Sequence, residues 1–161
     1  MNQVSFRSIE SEALVPAQWQ SLADGSLSVF NMALVGLGEN YLAAYRFVSG
    51  IDLKRRIATC ILDKDLNVVE GSAQPFSDHL SFASESISEQ SKDWFADPRL
   101  FTLRGDTYII WNNGHTTNEP NQQFLVKVSS ENGLPIEPAR ELVLRAARRK
   151  TEKNWALFEA E

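Results

Sequence analysis

The chain has 161 residues, of which 43% are hydrophobic and 23% are charged, and its formal net charge at pH 7 is −5. These values are typical of one globular domain and exclude a disordered chain. The acidic balance argues against a protein that binds the phosphate backbone of nucleic acids. No apolar run approaches the roughly 20 residues of a membrane-spanning helix, and residues 1–16 do not read as a signal peptide. We therefore expect a cytoplasmic location, no nucleic-acid partner and no membrane partner.

The whole chain is predicted to be one domain that opens with a lead-in at residues 1–25. This lead-in is helical or irregular, and it ends on an Asp-Gly turn signal. Residues 26–76 then show short apolar runs separated by turn residues. "FNMALVGLGENYLAAYR" predicts a strand, a Gly-Glu-Asn turn and a strand, and "RRIATCILDKDLNVVEG" predicts a third strand, a turn and a short fourth strand. The first segment thus predicts a four-stranded antiparallel meander.

The same order of elements returns after a Ser-rich connection at residues 77–95. Within residues 96–147, "DPRLFTLRGDTYIIWNNG" predicts a strand, a turn and a strand, "QQFLVKVSSENGLP" a third strand with an Asn-Gly turn, and "IEPARELVLRA" a fourth strand. Residues 148–161 are predicted to be the start of a third unit or a tail. Residues 139–161 contain enough Ala, Leu, Glu, Lys and Arg to allow a short terminal helix, but strand followed by loop is favoured.

The two meanders align with each other as an internal repeat. Placing Tyr41 on Tyr108 and Ile57 on Phe124 gives the same shift in numbering, an offset of 67, and the first strands align with Asn31 on Asp97. A repeated four-stranded meander is the unit of a β-propeller, in which each meander forms one blade around a central channel. The repeat therefore predicts an all-β protein of two propeller-like meanders, with Asn31 and Asp97 starting the innermost strands beside the channel.

Two blades do not close a ring, which ordinarily needs four or more. The sequence leaves three solutions open: a chain that is part of a longer protein, a homo-oligomer that completes the ring, or a two-sheet sandwich.

The motifs "FNMALV", "YLAAYR", "ADPRLF" with its continuation "RGDTYIIW", and "EKNW" resemble those of five-bladed β-propellers that process glycans, the glycoside hydrolases and mannosyl-oligosaccharide phosphorylases. The resemblance covers residues 30–158 and about half of a family member. It implies a partial five-bladed propeller that acts on or binds a glycan or oligosaccharide, with no cofactor beyond inorganic phosphate as a co-substrate. The chain departs from the family at Met32, where Pro is usual, and at Ala96, where the phosphorylases usually have Glu.

The resemblance names one candidate catalytic residue, Asp97. The candidate substrate-binding residues are Asn31, Arg46, Arg99, Lys153, Asn154 and Trp155. In the triplet that begins at Asp97, the proline predicts an extended conformation for the residue before it. Asp97 and Arg99 would then lie on one side of the strand, where the guanidinium would favour an ionised carboxylate. Such a carboxylate is suited to orienting sugar hydroxyls rather than to donating a proton.

The two strand starts supply only one carboxylate, whereas glycoside hydrolysis normally requires two. A stand-alone hydrolase is therefore poorly supported. A phosphorylase needs fewer protein acids because phosphate itself attacks, and Arg46 or Lys153 is the candidate cation that holds it. The alternative is a non-catalytic carbohydrate-binding or protein-interaction module that keeps the fold without the acid pair.

Neither a disulfide nor a metal site is predicted. Cys60 is the only cysteine and lies in the apolar run "IATCIL", so a buried, inert thiol is expected. His79 and His115 lie in separate loop-like stretches without a recognisable ligand spacing.

Overall fold

The computed structural model describes residues 8–23, 26–83, 93–114, 121–143 and 155–157. In the first antiparallel sheet the strand order is β1 (Ser28–Leu37), β2 (Asn40–Val48) and β3 (Arg55–Leu62); in the second it is β4 (Ala96–Leu103), β5 (Asp106–Asn112), β6 (Gln123–Val128) and β7 (Arg140–Leu142). Short 3₁₀ helices span Ser11–Leu14, Ala17–Leu22 and Phe76–His79. The prediction of a mainly β chain with two antiparallel sheets is confirmed.

Both predicted hairpins form around two-residue turns. Gly38 and Glu39 connect β1 to β2, and Arg104 and Gly105 connect β4 to β5. Both glycines have positive φ, 64° and 80°, which glycine adopts without steric cost. These turn glycines are the reason why the hairpins could be recognised in the sequence.

The first sheet has three strands, so the prediction of a fourth regular strand in the first meander is wrong. Its place is taken by isolated bridges, Leu62 with Val68 and Thr59 with Gln74. Between them, the Ser72 hydroxyl accepts a hydrogen bond from the backbone N–H of Ile61 at 3.1 Å and donates one to its carbonyl at 3.2 Å. The Ile61 carbonyl also accepts a hydrogen bond from the backbone N–H of Val69 at 2.9 Å, so a side chain supplements the backbone pairing at this point.

The paired strands of the two sheets are related by a uniform offset of 66, which is also the separation of Asn31 and Asp97. Adding this offset to both members of the pair Phe30–Arg46 gives the pair Ala96–Asn112. The larger offset predicted from Tyr41 is therefore wrong by a single position, which in a strand moves every side chain to the other face. The match of two tyrosines was misleading, because the residue aligned with Tyr41 is a threonine.

One hydrophobic core lies between the two sheets, and a second covers the other face of the first sheet. The first core contains Leu42, Ala44 and Ile57 from the first sheet, and Ile109, Trp111, Phe124 and Val126 from the second. The second core joins Tyr45, Phe47 and Cys60 to Leu14 and Trp19 of the lead-in. The two sheets and the lead-in are therefore packed as three successive layers.

Backbone oxygens of the lead-in accept hydrogen bonds from β2 and the residue that follows it. The Tyr45 hydroxyl donates to the carbonyl of Leu14 at 2.7 Å, and the Ser49 hydroxyl donates to the carbonyl of Leu22 at 2.8 Å. Cys60 is fully buried, as predicted, and burial raises the pKa of its thiol to about 12. The lead-in, predicted as helical or irregular, contributes two 3₁₀ helices to the folded unit.

Much of the remaining chain lies outside the described residues, including 84–92 of the predicted connection and most of the predicted tail. Residues 155–157 are described and have no regular secondary structure. In the described ranges, no helix has both the length and the apolar character to cross a bilayer.

Gly133 lies where the second sheet approaches the first, and we expect Gly133→Ala to be destabilising. An added Cβ would lie 2.6 Å from Cδ1 of Leu42 and 2.9 Å from Cβ of Thr59, at a φ of 71°. The left-handed backbone should cost about 1–2 kcal/mol, and the overpacking should add about 1–3 kcal/mol. Gly105→Ala is the control, because its φ is 80° and no atom lies within 4 Å of the new Cβ. Urea unfolding that gave equal losses for the two variants would contradict this packing.

Candidate functional site

Asn31 and Asp97 occupy equivalent positions in the first strands of the two sheets. The pairing register shifts directly after Phe30 and directly after Ala96, so each strand has a β-bulge at the polar residue. Both residues have left-handed φ, 55° for Asn31 and 51° for Asp97. Asn and Asp adopt this conformation more readily than other non-glycine residues. Because a bulge redirects side chains, the side chains of Asn31 and Asp97 do not follow the alternation between the two sheet faces that the rest of each strand shows.

The prediction that Pro98 holds Asp97 in an extended conformation is wrong, because the bulge gives Asp97 a φ of 51°. The strand alternation that would have placed Asp97 and Arg99 on one side does not extend through a bulge. The Arg99 guanidinium donates to the backbone oxygen of Pro98 at 3.1 Å. The ion pair of Asp97 is formed with Arg46.

Asp97 joins the two sheets through a single carboxylate oxygen. Asn31 Nδ2 donates to Asp97 Oδ1 at 2.5 Å, and Arg46 Nη1 donates to the same oxygen at 3.3 Å. The side chains of Arg46 and Asp97 are 14% and 20% exposed. Among the described residues, Asp97 Oδ2 has no hydrogen-bond partner. The cluster therefore keeps an acceptor in reach of a ligand.

Arg46 is fixed by several contacts besides Asp97. Its guanidinium lies 3.8 Å from the centre of the Phe30 ring, a cation–π contact. Burial lowers the pKa of this guanidinium from its ordinary value; Asp97 raises it and Arg55 lowers it again. The buried Nε of Arg46 has no hydrogen-bond partner among the described residues.

A cavity of about 190 Å³ lies beside this cluster. Its polar and aromatic lining consists of Arg46, Arg55, Trp94, Asp97, Asn112 and Asn113. The volume is below the roughly 300 Å³ at which pockets for small molecules begin, so it fits one small group and not an oligosaccharide. A larger cavity of about 390 Å³ lies by the lead-in and is lined mainly by small apolar residues; it lacks converging polar groups.

Arg55 and Trp94 form the far side of the cavity. The Arg55 guanidinium lies 3.9 Å from the centre of the Trp94 ring, and the backbone of Arg55 accepts a hydrogen bond from the N–H of Phe95 at 3.3 Å. The Trp94 indole lies against Gly114, where a Cβ would clash with the ring. Trp94 Nε1 is buried and has no partner among the described residues.

Asn112 is the last residue of β5, and Asn113 directly follows it. Asn112 aligns with Arg46 in the register of the repeat, and its Nδ2 donates to the carbonyl of Ala96 at 3.3 Å. Asn113 Nδ2 donates to Gln122 Oε1 at 3.1 Å. The asparagines thus stabilise the loop edge of the cavity with their amide groups.

The structure brings together three of the predicted site residues, Asn31, Arg46 and Asp97. Trp155 is partly buried and is not among the residues that line the cavity. Lys153 and Asn154 lie outside the described residues.

Sequence reasoning missed the polar and aromatic cavity residues Arg55, Trp94, Asn112 and Asn113. Only Asn112 had a sequence signal, its equivalence to Arg46 in the repeat. That signal could be used only with the correct register, because the offset taken from Tyr41 places Asn113 on Arg46 instead.

In the part of the chain that the structure describes, no three His, Cys, Asp or Glu side chains form a group able to hold a metal ion. His79 belongs to the third 3₁₀ helix, and His115 lies outside the described residues.

Comparison with known proteins adds no relative. No family model matches the chain, and no curated protein shows significant sequence similarity to it. The resemblance to glycan-processing propellers stays a prediction.

Proposed function

We propose that the chain is a carbohydrate-binding protein, or a part of a carbohydrate-active one, built from two propeller-like blades. The observation that carries the proposal is the cluster of Asn31, Arg46 and Asp97, in which two sheets position one carboxylate beside a cavity. An ionised carboxylate only accepts hydrogen bonds, so it suits a ligand rich in hydroxyl donors. Sugars are such ligands.

The packing of the sheets supports the propeller-like arrangement. Tyr45 and Trp111 are equivalent in the repeat, yet Tyr45 faces the lead-in and Trp111 faces the first sheet. The sheets therefore meet through opposite faces, front to back. Consecutive blades require this head-to-tail relation, whereas a two-fold symmetric sandwich would join equivalent faces.

Binding without turnover by this chain alone is the favoured form of the proposal. Asp97 is the one carboxylate among the described residues that line the cavity. Hydrolysis by two carboxylates would need them about 5–10 Å apart across the scissile bond. Asp97 would therefore orient a hydroxyl of the ligand, while Arg46 and Asn31 hold the Asp97 carboxylate in place.

A glycoside phosphorylase is the second candidate, and the pair Arg46 and Arg55 favours it. Both guanidinium groups line the cavity, and guanidinium groups bind phosphate through paired hydrogen bonds. Phosphate would then be the nucleophile, and one protein acid would suffice. A third candidate is a protein-interaction module. A titration in which no sugar binds would favour it.

The test is a titration of mannosides and glucosides into the wild-type chain and Asp97→Asn, followed by calorimetry and NMR. We expect binding to weaken about 10- to 100-fold in Asp97→Asn, because a hydrogen bond to a charged group is lost. Asp106→Asn is the matched control, since Asp106 is 44% exposed and pairs with Lys127 at 2.8 Å.

Turnover is measured in the same samples, with and without phosphate. Release of sugar or sugar phosphate that is lost in Asp97→Asn supports an enzyme, and binding without release supports a binding module. If the wild type binds none of these sugars, the proposal is wrong.

A further inference from the structure

Arg55 differs from its two neighbours in having no acidic partner among the described residues. Lys54 pairs with Asp93 at 3.7 Å, and Arg56 pairs with Asp52 at 2.5 Å. The Arg55 side chain instead stacks on Trp94 and is partly buried. Stacking on an aromatic ring fixes the plane of a guanidinium while leaving its N–H donors available. Arg55 is thus a preoriented cation at the cavity.

Two further donors that are buried and unsatisfied belong to residues of the same cavity. Trp94 Nε1 and Arg46 Nε have no hydrogen-bond partner among the described residues, and both residues line the cavity. Leaving a buried donor unsatisfied costs about 1–3 kcal/mol. A ligand with hydrogen-bond acceptors would remove this cost, whereas a ligand with donors alone would not.

The described lining of the cavity also has an excess of positive charge. Its described lining contains two guanidinium groups and one carboxylate, and Asp97 Oδ1 is already shared by Arg46 and Asn31. Arg46 and Arg55 lie on the same face of the first sheet, since Arg46 pairs with Ile57 and Arg55 pairs with Val48 in the same ladder. An anion between the guanidinium groups would relieve their repulsion.

We infer that the ligand of this cavity carries an oxyanion, a carboxylate or a phosphate, bound by Arg55 and Trp94 Nε1. The hydroxyl groups beside that oxyanion would be bound by Asp97, and this half of the inference rests on the proposed function. The ligand class is then an acidic sugar, a sugar phosphate, or a sugar bound together with inorganic phosphate.

The experiment compares three probes: inorganic phosphate, glucuronate and glucose. Each is titrated into the wild type, Arg55→Gln, Arg55→Lys and the control Lys54→Gln, which removes one charge at a neighbouring residue whose side chain is 52% exposed. We expect the anions to bind about 10- to 100-fold more weakly to Arg55→Gln and to be partly retained by Arg55→Lys. The indole N–H signal of Trp94 should move on binding an anion and not on binding glucose.

The outcomes separate this inference from the proposed function. Stronger binding of phosphate than of glucuronate supports a phosphate ligand, and the reverse order supports an acidic sugar. If neither anion binds the wild type, or if Arg55→Gln binds them as Lys54→Gln does, the oxyanion site is wrong, even where glucose binding through Asp97 persists. If phosphate binds through Arg55 but neither glucuronate nor a neutral sugar binds, the oxyanion site stands and the proposed function fails.

Discussion

Trp111→Ala is expected to remove a large part of the stability of the chain. Trp111 is fully buried between the two sheets; it stacks on Phe124 with ring centres 5.5 Å apart and meets the edge of Phe76 at 5.9 Å. Truncation of a buried Trp costs about 3–5 kcal/mol, a large part of the roughly 5–15 kcal/mol that stabilises an ordinary domain. Urea unfolding, followed by far- and near-ultraviolet circular dichroism, measures the loss.

Trp111→Phe is the matched variant for this prediction. The indole Nε1 of Trp111 has no hydrogen-bond partner among the described residues, so replacing the ring with phenyl also removes an unsatisfied donor. We expect Trp111→Phe to lose clearly less than Trp111→Ala, by at least about 2 kcal/mol. A loss below about 1 kcal/mol in Trp111→Ala would mean that the two sheets do not share a core.

The strands and hairpins could be predicted from local sequence because their signals are local. Alternation of apolar residues and the turn glycines Gly38 and Gly105 depend only on neighbours in the chain. The register of the repeat is different, since it depends on which residues pair across strands. After its third strand, the second meander has one residue more than the first. The turn residue with positive φ is Leu66 in the first meander and Gly133 in the second, which are related by the offset of 67 and not 66. Sequence letters alone are therefore compatible with either offset.

The repeat predicts that Asn31 and Asp97 lie close together, but it does not predict the geometry of their contact. The prediction that both residues start equivalent first strands needed only their spacing. The left-handed conformation of Asp97 depends on a bulge. The restriction that Pro98 places on the residue before it predicts an extended conformation instead. The ion pair with Arg46 follows from that bulge, and no spacing in the sequence indicates it.

Arg55 and Trp94 could not be predicted as partners from sequence, because they are far apart in the chain and belong to different segments of the repeat. Their contact requires the connection between the sheets to return beside β3, where Arg55 and Trp94 form a parallel bridge. In the sequence, Arg55 reads as one cation of the run Lys54–Arg56. Only the ion pairs of its neighbours distinguish it.

Trp19→Ala is expected to open the face of the first sheet that the lead-in covers. Trp19 is 3% exposed, its ring centre lies 5.0 Å from that of Phe47, and its Nε1 donates to Asp78 Oδ2 at 2.7 Å. The loss of the ring and of the hydrogen bond should lower the free energy of unfolding by about 3–5 kcal/mol. Gln20→Ala is the control, because Gln20 is an exposed neighbour in the same 3₁₀ helix.

Labelling of Cys60 distinguishes a local opening from general loss of stability. Burial raises the pKa of this thiol from an ordinary 9.0 to about 12, and a hydrogen bond with Tyr45 acts in the opposite direction. At pH 8 the thiolate fraction is therefore about 1 in 10,000 when the lead-in is docked and about 1 in 10 when Cys60 is exposed. Because Trp19 shares a core with Cys60 and Trp111 does not, Trp19→Ala should label faster than Trp111→Ala at equal global stability. Equal labelling of Trp19→Ala and the wild type would mean that the lead-in does not protect this face.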